Sequence, residues 1–319
     1  MNKRQKLLIL GAIVSVISLI AVVSSISVTK PPLDKLRVVV TFYPLAFLSQ
    51  EIGGEHVQIT QLVPSNTEIH SWEPAASHIA SAENADVIIY NGAGVDNWIE
   101  TEILPSLSNS KNRTTVNTCE GLELLTSESE DHEHGEDNEH DHGPDDPHTW
   151  VSPYMAKLQA EKIHSQFVQR DPAHANYYVE RWLNLKGRLE QLDNEYALGL
   201  SVKLKNATFV THEAFGYLAH RYGFEQHGVI GLSADEQPSV ATIISLVSLM
   251  TERGMFALYV DPVYSSEYAQ TLKNELQTQT GHTVKVLKLY LMLGRIDDKD
   301  YLEQMRSNLD NLEIGLEAI

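Results

Sequence analysis

The chain has 319 residues, 42% hydrophobic and 21% charged, an ordinary globular composition that excludes both a wholly disordered chain and a polytopic membrane protein. Its 43 acidic against 24 basic residues give a formal charge of −19, which repels phosphate backbones and argues against nucleic acid as a partner. A single cysteine, Cys119, permits neither an intrachain disulfide nor a thiolate cluster, so any metal chemistry falls to the 14 histidines with Asp and Glu.

At the amino terminus Lys3, Arg4 and Lys6 precede 22 residues, Leu7 to Val28, without a charge. As a helix this stretch would span about 33 Å, enough to cross a bilayer, whereas a secretory apolar region usually runs about 7 to 15 residues. An uncleaved transmembrane anchor over residues 1–30 is therefore expected. The alternative is a cleaved signal peptide with Ser24, Ser25 and Ser27 as small-residue candidates. In either case the basic flank keeps the N-terminus inside and sends the chain after Lys30 to the extracytoplasmic face. No cysteine stands near the stretch to carry a lipid.

From Leu36 onward short β-branched runs alternate with amphipathic ones, the pattern of an α/β lobe over residues 31–172. Strands are expected at Val38 to Phe42, Val57 to Val63, Val87 to Tyr90 and Thr114 to Val116. Helices are expected at Leu45 to Ile52, Ala75 to Asn84 and Asn97 to Leu104. Glu128 to Asp146 then breaks every pattern, since 10 of its 19 residues are acidic, four are His and none is aliphatic. It reads as a disordered, acidic, His-rich loop within residues 126–146. From Ala173 to Leu200 the apolar positions Tyr177, Trp182, Leu185, Leu189, Leu192 and Tyr196 recur at helical spacing, so one long helix, residues 173–201, should link two halves. A second α/β lobe, residues 202–319, follows. Its expected strands lie near Thr208 to Val210, Gly228 to Ile230, Phe256 to Val260 and Val284 to Leu287. Its expected helices lie near Glu213 to Tyr222, Ser239 to Glu252, Ser265 to Gln279 and Lys299 to Leu316. Two lobes joined by one helix leave a cleft between them for a small ligand.

Three histidines fall at turns where a side chain can point into such a cleft. They are His70 in Thr67-Glu68-Ile69-His70-Ser71-Trp72-Glu73-Pro74, His148 in Asp146-Pro147-His148-Thr149-Trp150, and His212 in Thr211-His212-Glu213-Ala214-Phe215. Spacing alone does not join them, because they are spread over 143 positions. Taken singly, each is more often a hydrogen-bonded core or surface histidine than a ligand.

These blocks, with Phe42-Tyr43-Pro44, Val63-Pro64, Ala85-Asp86 and Asn91-Gly92, resemble the metal-binding solute-binding proteins of ABC transporters that import zinc or manganese. The resemblance runs from about Val38 to Leu316. It implies two lobes bridged by a rigid helix, a cleft metal site with His70, His148 and His212 as ligands, an ABC permease as partner and no catalysis. A monomer is expected. In the manganese branch the third position resembles a glutamate and a late aspartate supplies a fourth ligand. Here the third is His212 and the late stretch Val286 to Leu291 has no carboxylate. Imidazole nitrogen suits Zn²⁺, so both departures favour zinc as the transported ligand. The fourth position stays open to water, Glu68 or the acidic loop, with Asp261 a weaker candidate. His132, His134, His140 and His142 resemble the His-rich insertion of the zinc branch and are expected to bind metal weakly.

Competing chemistries lack their motifs. His132-Glu133-His134-Gly135-Glu136 puts Glu where a zinc protease needs its second His. Gly92-Ala93-Gly94 ends at Asn97 instead of a third glycine, so it reads as a turn and not a dinucleotide site. No Gly-x-Ser-x-Gly elbow occurs. A three-His zinc hydrolase is the alternative from another class, although no general base distinguishes itself and Glu68 and Glu213 only lie beside the candidate ligands. An adhesin on the same fold is a further one. Trp72 and Trp150, beside two of the histidines, are expected to pack and not to stack on a substrate.

Overall fold

The computed structural model describes residues 35–109, 112–126, 145–231, 239–264 and 266–319. The expected N-terminal span and the loop histidines His132, His134, His140 and His142 lie outside the described residues. Among the described residues no helix is long and apolar enough to cross a membrane.

The first lobe is built on four parallel strands, β1 (Leu36–Val40), β2 (Val57–Gln61), β3 (Val87–Tyr90) and β4 (Thr114–Asn117), in the order β2-β1-β3-β4. The central strands Leu-Arg-Val-Val-Val and Val-Ile-Ile-Tyr are nearly continuous apolar runs because helices cover both faces of a parallel sheet. The edge strand β2, Val-Gln-Ile-Thr-Gln, alternates instead. Helix α1 (Tyr43–Gly53), opened by Pro44 near its first position, buries Leu45, Leu48 and Ile52. Helix α2 is Ala76–Glu83. Where a helix over residues 97–104 is expected, the chain makes a π turn, Ile99–Ile103, running into a single turn at Leu104–Ser106 with Pro105 at its start.

Helix α3 (Pro153–Arg170) has no counterpart among the expected elements. Its buried face mixes Met155, Ile163 and Phe167 with Ala156, Ala160 and the polar Gln159, so the aliphatic period is faint. Helix α4 (Ala175–Gly199) is the long linking helix. Its buried stripe is Tyr178, Trp182, Leu185, Leu189, Leu192 and Tyr196, each side chain worth about 1.5–3 kcal/mol of burial. Tyr178, not the expected Tyr177, begins the stripe, because its spacing of four to Trp182 keeps it on the face.

The second lobe repeats the scheme with β5 (Ala207–His212), β6 (Glu225–Ile230), β7 (Ala257–Val260) and β8 (Lys285–Lys288), again parallel, in the order β6-β5-β7-β8. Helix α5 (Gly216–Tyr222) starts three residues later than expected, because Glu213 turns back to accept from the Gly228 N–H at 2.7 Å. Helices α6 (Val240–Arg253), α7 (Glu267–Thr280) and α8 (Tyr301–Leu316) complete the lobe. One core cluster runs from the first sheet through α4 into Phe215, Tyr259, Leu289 to Leu293 and α8, while α6 and α7 close a separate core on the other face of the second sheet. The two lobes therefore share buried apolar surface. Polar stitches reinforce it: Trp150 Nε1 donates to Leu291 O at 2.8 Å, Tyr301 Oη donates to Trp150 O, and Asn66 N donates to Leu293 O at 2.8 Å.

Candidate metal centre

In both sheets the first strand sits between the second and third, and ligands of open parallel sheets bind beyond the carboxyl ends of the strands at that reversal. The candidate residues gather there. His70 lies in the loop after β2, His212 is the last residue of β5, and Asp261 directly follows β7. His148 precedes a 3₁₀ turn, Thr149–Val151, that leads into α3. The loop carrying it is fixed from β3: Asn91 Nδ2 donates to Pro147 O at 3.0 Å and Asn91 Oδ1 accepts from Thr149 Oγ1 at 3.2 Å. Gln159 of α3 donates to the same Asn91 Oδ1 at 2.9 Å, which explains a polar residue on that helix's buried face.

The structure brings His70, His148 and His212 together with one ligand nitrogen from each within 4.8 Å of the others. His148 and His212 are buried, and His70 is half-buried. The nitrogens His70 Nε2 and His148 Nε2 stand 3.1 Å apart. Two nitrogens bound to one tetrahedral Zn²⁺ at about 2.0–2.1 Å lie about 3.4 Å apart, so this pair is already at ligand spacing. Ring centroids are 5.0 Å apart for His148 and His212 and 5.5 Å for His70 and His212.

Asp146 sets the tautomer. Its Oδ1 accepts from the His148 backbone N–H at 2.9 Å and lies 2.8 Å from His148 Nδ1. A carboxylate only accepts, so Nδ1 carries the proton and Nε2 presents its lone pair on the side facing His70 Nε2. This corrects the reading of Glu128 to Asp146 as one disordered run. Asp145 pairs with Thr126 in an antiparallel bridge, and Asp146 is 4% exposed.

Other carboxylates surround the histidines without converging on them. Glu68 Oε1 accepts from the His70 N–H at 2.7 Å, and its Oε2 is buried without a hydrogen bond of normal geometry. Beside it, the Tyr264 hydroxyl is held in its O–H form by burial and then by the Glu68 charge, while its ring meets His212 edge-on at 5.5 Å. Asp261 is a poor direct ligand: Oδ2 accepts from Leu291 N at 2.5 Å and Oδ1 from Val263 N at 2.7 Å. Burial, with a contribution from Glu68, pushes its carboxyl up to about 7. Trp150 is fully buried, edge-on to Phe42 at 4.8 Å and tilted against His148 at 5.2 Å, a packing role. Trp72 packs on Trp98 at 4.6 Å. The Gly92-Ala93-Gly94 segment is a turn with positive φ at all three residues, its Asn91 and Gly92 N–H groups capped by Asp96 at 2.7 and 2.8 Å.

Residues 38–315 match the family described as zinc-uptake complex component A, periplasmic (ZnuA). The chain is 33% identical over 290 residues to the high-affinity zinc uptake system protein ZnuA of Bacillus subtilis, covering 89% of this chain and 88% of that protein. Among solved structures it is similar to the metal-dependent lipoprotein YcdH from Bacillus subtilis, with TM-score 0.73 and 30% identity over 88% of this chain and 99% of that one. It is likewise similar to the Zn(II)-bound ZnuA-like domain of Streptococcus pneumoniae AdcA, with TM-score 0.73 and 27% identity over 89% and 99%.

Proposed function

The chain belongs to the ZnuA family of zinc-uptake complex components, and on that premise we propose that His70, His148 and His212 hold the ion it carries. The protein is a zinc-type solute-binding receptor of an ABC transporter, not an enzyme, and zinc is its cargo. The observation that carries the ligand assignment is the convergence of three imidazoles, two of them at tetrahedral ligand spacing, with the His148 tautomer set by Asp146. Three neutral nitrogens favour Zn²⁺ over oxygen-seeking Mn²⁺. The Asp146 carboxylate, bonded behind His148, offsets part of the ion's charge without taking a coordination position.

A fourth position is left for water or for Glu68 Oε2 after a side-chain movement. Glu68 and Glu213 are held by the His70 and Gly228 N–H groups, which gives neither the setting of a general base. The shared core between the lobes favours a largely preformed site, with loading and release through local shifts of the ligand loops. Residues 1–30 anchor the receptor in the membrane with the chain after Lys30 on the extracytoplasmic side, and His132, His134, His140 and His142 bind further zinc weakly. The receptor acts as a monomer that docks on its permease.

The test is elemental analysis and chelator-competition titration of the metal-free protein, purified without a histidine tag. One tight zinc equivalent, with manganese bound far more weakly and no peptide or ester hydrolysis, is expected. Hydrolytic turnover dependent on the three histidines would reverse the reading.

A further inference from the structure

We propose that Gly216 and Tyr217 of the second lobe are positioning residues that orient the zinc ligand His148 of the first lobe, acting through Asp146. This deepens the zinc-site reading above and rests on it.

The Tyr217 hydroxyl is buried and bridges two chain segments. It donates to Asp146 O at 2.7 Å and accepts from Leu125 N at 3.2 Å. Those segments also close on each other, Asp146 N donating to Leu125 O at 2.7 Å and Thr126 pairing with Asp145. One hydroxyl of α5 thus fastens both Leu125 and Asp146 to the second lobe. The Asp146 side chain is seated by the neighbouring residue. A Cβ on Gly216 would lie 2.6 Å from Asp146 Oδ2, closer than real Cβ contacts come, so only glycine leaves room for that oxygen. The other oxygen, Oδ1, holds both the backbone N–H and Nδ1 of His148.

The consequence follows from chain order. His212 stands four residues before Gly216, so one short stretch carries the third ligand and the seat of the carboxylate that orients the second. A shift of α5 against the first lobe displaces His212, drags Asp146 by its carbonyl and turns the His148 ring together. Two of three nitrogens therefore loosen in one movement. That gives a tight site a route to rapid release without wide opening of the lobes.

The experiment is a double-mutant cycle on the full chain, read by zinc affinity and by the rate of zinc loss to excess chelator. Tyr217→Phe should speed zinc loss and weaken affinity about tenfold, the range seen when a partner orienting a metal ligand is removed. In an Asp146→Ala background the same change should alter affinity less than twofold, since no side chain is left to carry the Tyr217 tether to His148. Gly216→Ala, which keeps the hydroxyl but crowds Oδ2, should act in the same direction and stands in if Tyr217→Phe lowers the melting temperature of the metal-free protein. Effects of Tyr217→Phe and Asp146→Ala that multiply would overturn the proposal, as would wild-type zinc binding in both Tyr217→Phe and Gly216→Ala. His148→Ala separates the two levels: if it abolishes tight binding while those variants change nothing, the positioning role alone fails. If His148→Ala binds like wild type, the site assignment itself fails.

Discussion

Replacing Asp146 by Asn tests how much of the zinc affinity comes from the residue behind the ligand. Asparagine keeps the size of the side chain and an acceptor oxygen, so His148 N and Nδ1–H can still be met where Asp146 Oδ1 now accepts both, at 2.9 and 2.8 Å. What is lost is the negative charge, and charge-assisted hydrogen bonds are roughly twice as strong as neutral ones. The imidazole becomes a poorer donor to Zn²⁺, and the expected loss is about 10- to 100-fold in affinity, or ~1.4–2.7 kcal/mol. If the amide turns its NH₂ toward Nδ1, the proton moves to Nε2, the nitrogen 3.1 Å from His70 Nε2, and the loss exceeds that range. Competition titration against a chelator of known affinity measures it, with melting of the metal-free protein as the folding control. Affinity within twofold of wild type in a normally folded variant would mean that His148 is oriented by something else or does not bind the ion.

Zinc binding should fall steeply below about pH 6, since an ordinary imidazole titrates near 6.5 and must be neutral to ligate; affinity flat between pH 7 and 5 would exclude histidine ligation. Asp96 is fully buried and burial pushes its carboxyl up to about 6, so the folded metal-free protein takes up this proton before the unfolded chain does as pH falls. Wild type should therefore gain about 2 kcal/mol of stability relative to Asp96→Asn between pH 7 and 4 in denaturant titrations; a constant difference would contradict it. Removing residues 128–142, which leaves Ser127-Gly143-Pro144 to join the paired Thr126 and Asp145, should preserve one tight zinc equivalent and abolish weaker ones; loss of the tight equivalent would make this segment a source of the fourth ligand. His212→Glu should shift the zinc-to-manganese affinity ratio toward manganese only partly, since a single harder donor is added, and an unchanged ratio would remove His212 from the ligand set.

The sequence made the sheets legible because buried parallel strands such as Val-Ile-Ile-Tyr are apolar runs bounded by turn residues, and it made α4 legible through the stripe from Trp182 to Tyr196. Helix α3 escaped because alanines and Gln159 occupy its buried face, filling space and bonding to Asn91 instead of marking an aliphatic period. The three histidines could be named from the blocks around them, but their meeting within 4.8 Å depends on the packing of the two lobes, which no local spacing encodes. Asp146 was masked by its acidic neighbours. The signal that could have separated it is local: an aspartate followed by Pro147 and then His148 is suited to accept the N–H two residues on, which fixes it next to the imidazole. Tyr217 had no such mark, since its contacts with Leu125 and Asp146 join residues 92 and 71 positions away.

The central claim is that one zinc ion is held by three imidazole nitrogens drawn from both lobes. A crystal structure of the zinc-loaded protein with anomalous data on both sides of the zinc absorption edge tests it most directly. A single strong zinc peak is expected about 2.0–2.1 Å from His70 Nε2, His148 Nε2 and one nitrogen of His212, with an oxygen completing a tetrahedron. A peak elsewhere, or a shell lacking any one of these three histidines, would contradict it.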